Sequence, residues 1–159
     1  MIIVHTPANG PREEFDIKSV RAGEATRIST LLAEKASWPQ VKQLLSDDHP
    51  DAMRVVAFVM KCRDNPALRM ADFDPLLVDL AVLLDREEVT NWGETAAAMT
   101  VAFDGPEDAL RVELSVILDL AADQDHAREV IDRVVAGKFP PPLSELTDES
   151  SPTPEESPS

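Results

Sequence analysis

The segment from Asp51 to Cys62 constrains this chain more than any other. It carries Met53, Val55, Val56, Phe58, Val59 and Met60, apolar almost all round a helix. A helix without a polar face belongs in the middle of a packed body, so other elements must cover it from several sides. Arg63-Asp64-Asn65-Pro66 ends it, because Asn tolerates the left-handed conformation and Pro cannot continue a helix.

The covering elements are legible as helices on both sides. From Gly23 to Lys35, Ala25, Ile28, Leu31 and Leu32 share one helical face, with Glu24 near the positive end of the dipole. Ser37-Trp38-Pro39-Gln40 is a helix start, in which Ser37 and Gln40 form a capping box and Pro39 lies in the first turn, and the helix runs to about Leu45. Asp74-Pro75 predicts another, through Leu84. Further helices are expected at about 93–103, 106–121 and 124–136, the last closed by Gly137 as its C′ residue. Ahead of them Ile2–Val4 is β-like, and Phe15–Val20 alternates apolar and polar. These two runs predict a small hairpin or an extended arm, which would have to lie on the helices to be stable.

The fold class is therefore mostly α: a compact multi-helix domain with a short N-terminal β-hairpin or extended arm and a disordered C-terminal tail. The expected divisions are an arm over 1–21, a helical domain over 22–138 and a tail over 139–159. The tail is rich in Pro, Ser, Thr and Glu and has no Lys or Arg, so it cannot bury enough apolar surface to offset its ordering entropy. Only five Phe, two Trp and no Tyr occur among 159 residues, which leaves the core to Leu, Val, Ile, Ala and Met. That mixture suits packed helices.

Thirty acidic residues against 15 basic ones give a formal charge of -15. Such a field disfavours nucleic acid and anionic membrane surfaces. The N-terminal residues Met1 to Pro7 show no basic leader, and no run approaches the roughly 20 apolar residues of a membrane span. A cytoplasmic protein is expected. His49 and His126 stand among aspartates, but those clusters sit where helices begin, where Asp serves as cap and dipole partner. His5 stands apart from both. Cys62 follows an apolar helix face and reads as a small buried hydrophobe. Five dispersed glycines make no phosphate loop. No catalytic, cofactor-binding or metal-binding residue is nominated, and an enzyme is not expected.

What remains is surplus apolar surface. The segments 51–62, 76–84 and 106–121 all present apolar residues on more than one face. In the last, Leu110, Leu114, Ile117 and Ala121 form one stripe and Val112, Val116 and Leu120 another. A domain this small strains to cover so many two-faced helices, which points to a partner or a second copy.

From about residue 15 to 75 the chain resembles the tail assembly chaperones of long-tailed (siphovirus-type) phages of actinobacteria. The resemblance rests on the order of several features. An extended Phe15–Val20 precedes Ala22-Gly23-Glu24-Ala25 and its helix. A tryptophan follows at a helix start, Ser37-Trp38-Pro39. An apolar helix then ends in Arg63-Asp64-Asn65-Pro66, before an acidic-aromatic step, Ala71-Asp72-Phe73-Asp74. The resemblance implies a helical chaperone of the infected host's cytoplasm, absent from the mature virion. It would bind the tape measure protein, keep it soluble and help recruit tail tube protein; the surplus apolar faces leave room for self-association as well. Genes of this family often extend a minority of copies by programmed frameshift, which an acidic C-terminal end would suit. Trp38, Leu45, Met53 and Phe58, on the second and third helices where the resemblance is densest, are the partner-binding residues it suggests. Two other readings stay open: a structural virion component, such as a connector or minor tail protein, and an acidic DNA mimic that inhibits a host protein.

Overall fold

The structure, a computed structural model, describes residues 1–140. The sequence-based expectation of a disordered tail falls, from residue 141 on, outside the described residues. The chain is mostly helical with one small sheet. In order, it forms strands β1 (Ile2–His5) and β2 (Glu13–Asp16), helices α1 (Ala22–Leu31), α2 (Trp38–Ser46) and α3 (Pro50–Lys61), and strand β3 (Leu80–Leu83). Helices α4 (Arg86–Thr100), α5 (Glu107–Leu114), α6 (Val116–Leu120) and α7 (Gln124–Lys138) complete it.

The hairpin is real, but it is two-thirds of a sheet. β1 lies in the centre, antiparallel to β2 on one side and to β3 on the other. The helix expected from Asp74-Pro75 to Leu84 is therefore corrected: Leu77–Asp79 is a single 3₁₀ turn and Leu80–Leu83 is a strand. A continuous apolar run satisfies a buried strand as well as a helix, and here the open edge of β1 decides between them. The second strand ends earlier than expected, because Asp16 accepts the Lys18 N–H at 2.9 Å and turns Ile17–Ser19 into a 3₁₀ helix.

α3 is the hub of the first core. Ala52, Met53 and every residue from Val55 to Met60 are buried, against Ile3 of the sheet, Ile28 and Leu32 near α1, and Val41 and Leu45 of α2. α2 starts as its sequence requires, with the Ser37 N–H donating to Gln40 Oε1 at 2.8 Å. It ends at a corner in which Asp48 takes the left-handed conformation (φ 51°) and the His49 N–H donates to Leu44 O at 2.9 Å. Asn65 does not adopt that conformation; among the described non-glycine residues only Lys35 and Asp48 do. The Arg63 guanidinium holds the end of α3 to the start of α1. Its Nε and Nη2 each donate to Glu24 at 2.7 Å, and Nη2 also donates to Ser19 O at 2.8 Å. The Arg63 hydrogen bonds pull the Glu24 carboxyl down to about 2.

A second core forms where α4 and α7 cross, from Val89, Ala96, Leu110, Leu114, Ile117, Ala127, Val130, Ile131, Val134 and Val135. α4 begins at Arg86, well before the expected residue 93. Asp85 and Glu88 form a reciprocal box, with the Glu88 N–H donating to Asp85 Oδ1 at 3.0 Å and the Asp85 N–H to Glu88 Oε2 at 2.9 Å. The single helix expected over 106–121 divides at Ser115, whose hydroxyl donates to Val112 O at 2.7 Å. Gly137 lies inside α7 rather than beyond its end. Gly93 is where α4 meets α7: a Cβ there would fall 2.3 Å from Val130 Cγ1.

Gly93→Ala is therefore expected to lower the melting temperature, at a cost of about 1–3 kcal/mol, because the stiff, buried Val130 cannot swing aside. Adding Val130→Ala should make the double variant less damaged than the sum of the two single losses. Glu24 supplies a pH signature. Its folded pKa of about 2 lies below the ordinary 4.5, so its contribution is present above 4.5 and lost as pH falls through the folded value. In urea titrations the advantage of wild type over Glu24→Gln, about 1 kcal/mol near neutrality after solvent screening, should shrink below 4.5 and vanish near 2.

Candidate protein-binding surface

The polar side chains that cluster do so for structural reasons. His5, in β1, is buried with its Nδ1 2.9 Å from Glu13 Oε2 and its ring edge-on to Phe73. Glu13 is also bonded to Lys61 of α3, which ties sheet to helix. The Lys61 and His5 contacts outweigh burial and lower the Glu13 carboxyl. His126 sits in the first turn of α7, where Asp123 accepts its N–H at 2.9 Å as a cap should. Its ring lies 3.0 Å from Thr90 Oγ1. Cys62 is buried, and its Sγ lies 3.6 Å from Arg27 Nη2. Among the described residues no three His, Cys, Asp or Glu side chains converge as a metal site would require, and no helix is long and apolar enough to cross a membrane.

The feature that stands out is apolar. The first core leaves little exposed: α3, expected to have spare faces, is sealed on all sides. Among the described residues the second core does not close. Between α4 and α5 a cleft of about 370 Å³ is walled by Trp92, Thr95, Ala96 and Met99 on one side and Leu110, Glu113 and Leu114 on the other, with Phe103 at its end. Gly105 lies against the Phe103 ring, where a Cβ would come within 2.5 Å, so the loop after α4 can fold close over it. Met99 is 72% exposed and Val101 78%. Round α5 and α6 the two expected stripes separate as their spacing requires: Leu110, Leu114, Ile117 and Ala121 are buried, while Val112, Val116 and Leu120 face solvent. Residues 86–120 hold eight carboxylates against two arginines, and Arg86 and Arg111 are both in ion pairs. The Leu76-Leu77-Val78 turn is a separate exposed apolar spot, before β3.

The four residues suggested as partner contacts do not come together at a surface. Leu45, Met53 and Phe58 are at most 2% exposed and belong to the first core, and Trp38 is half-buried against it. Their apolar character reflects packing around α3. Trp92, Met99 and Phe103 are not legible as a site in the sequence, because a helix starting at the expected residue 93 lacks the first two turns of α4. The Asp85-to-Glu88 box was the signal that could have found them.

No family model, no curated protein and no solved structure matches this chain.

Burial separates the two sets of residues in a measurable way. Leu45→Ala and Phe58→Ala are expected to cost about 2–5 kcal/mol through the cavities they open. Met99→Ala and Val112→Ala should stay within about 0.5 kcal/mol. Urea midpoints of the four variants check this.

Proposed function

We propose that this chain is a tail assembly chaperone of a long-tailed phage, which binds the tape measure protein, keeps it soluble and helps recruit tail tube subunits. The observation that carries the reading is the incomplete second core. An acidic body leaves a cleft and an outer helix face apolar, which is the complement of a long amphipathic helix with unburied apolar residues. The resemblance over residues 15–75 supplies the identity of that helix. Many weak contacts repeated along one rod would hold it by avidity, and the negative charge of each bound copy would oppose aggregation of the assembly. Work in the host cytoplasm and absence from the finished virion follow from the same reading.

Co-expression tests it. With the chain present, the tape measure protein of the same phage should move from the insoluble to the soluble fraction and co-purify with the chain. An insoluble tape measure protein under those conditions would overturn the proposal. Abundant chain in mass spectra of purified virions would favour a structural component instead.

A further inference from the structure

We propose that the cleft between α4 and α5 receives the apolar face of an amphipathic helix whose flanks are basic. The inference rests on the reading above that the chain binds a protein, and it names the site and the chemistry of the occupant.

The cleft has the dimensions of an anchor site. From Trp92 to Met99 its α4 wall runs about 10 Å, the distance between positions i and i+7 of a bound helix. A volume of about 370 Å³ takes anchoring side chains from successive turns while the helix itself lies across the opening. The walls are apolar, with Glu113 the one charged lining residue. Asp104, in the loop after α4, and Asp108, in the first turn of α5, follow Phe103 at the end of the cleft, whereas Arg86 and Arg111 are already paired with Asp123, Glu107 and Asp132. An occupant with an apolar stripe and Lys or Arg beside it would bury the stripe and bring its cations to Glu113 and to this acidic end.

Charge also selects against the nearest competitors. A second copy would bring another chain of formal charge -15 to an acidic rim. Residues 141–159 of this chain, with five carboxylates and no Lys or Arg, would do the same. Both would bring net negative charge to Glu113.

The test uses the full chain carrying Trp38→Phe, so that Trp92 in the cleft is the sole tryptophan reporter. The probes are three synthetic peptides: leucine and lysine with leucines at helical i, i+3, i+4 and i+7 spacing, a scrambled isomer, and a version with glutamate for lysine. The first should shift Trp92 emission saturably, and the other two should bind at least about tenfold more weakly. Met99→Arg should weaken the first peptide by about tenfold. Val78→Arg makes the same charge change at an apolar residue outside the cleft, and should alter binding by less than about twofold. Equal weakening by the two variants, or equal binding of the scrambled isomer, would reduce the effect to general electrostatic adsorption and overturn the assignment. The same variants separate this assignment from the chaperone reading. If Met99→Arg solubilises the tape measure protein as well as the parent chain does, the cleft is excluded and the chaperone stands. If the parent chain fails to solubilise it while peptide binding still depends on Met99, the chaperone falls and the cleft stands.

Discussion

Asp85 ends the sheet and begins the second core, and its carboxylate is bound from both. From its own helix it accepts the Glu88 N–H; from the turn after β2 it receives Lys18 Nζ at 2.9 Å, and the α-ammonium of Met1 reaches it from the start of β1. Burial alone would push this acid up. The hydrogen bonds from the ammonium, Lys18 and Glu88 outweigh burial and hold it well below the ordinary aspartate range. A buried charge is tolerated only when its partners are in place, so the arrangement demands one relative position of sheet, turn and α4. Two backbone bonds continue the seam: the Leu84 N–H donates to Leu120 O at 2.7 Å, and Leu84 O accepts the Ala122 N–H at 3.0 Å. Through these few contacts the direction of α4 is set, and with it α7 and the cleft.

Much of the local structure could be read from the residues. Ser37 and Gln40 start α2, the Leu110-to-Ala121 stripe is the buried side of α5 and α6, and the apolar Asp51–Cys62 segment is the centre of a core. Two of the failures share a cause, which is that the deciding partner lies far away in the chain. Leu80–Leu83 has no periodicity of its own and becomes a strand because β1, some 75 residues earlier, has an open edge. Gly137 continues α7 rather than ending it, since the last turn packs beside α4, where Lys138 Nζ reaches Val101 O at 3.2 Å.

The segments that carry the family resemblance turn out to be folding devices. Glu24 and Arg63, from two separate motifs, are clamped together. Phe73, from a third, packs on Phe58 while its carbonyl accepts the Arg54 Nε–H at 2.9 Å. Residues that hold a body together cannot also form its contact face. The surface proposed for a partner accordingly lies beyond them, in helices built on a smaller, less complete core.

The order of strands in the sheet has a consequence for synthesis. β1 precedes both of its neighbours in the chain and sits between them, yet one of them, β3, is made only after α1, α2 and α3. Until Leu83 has left the ribosome, the hairpin presents a bare edge and α3 lacks part of its cover. The nascent chain must pass through a stage in which its greasiest helix exists before the strand that helps close over it. Closure then comes late and through distant contacts, which slows folding as the loop to be gathered in lengthens.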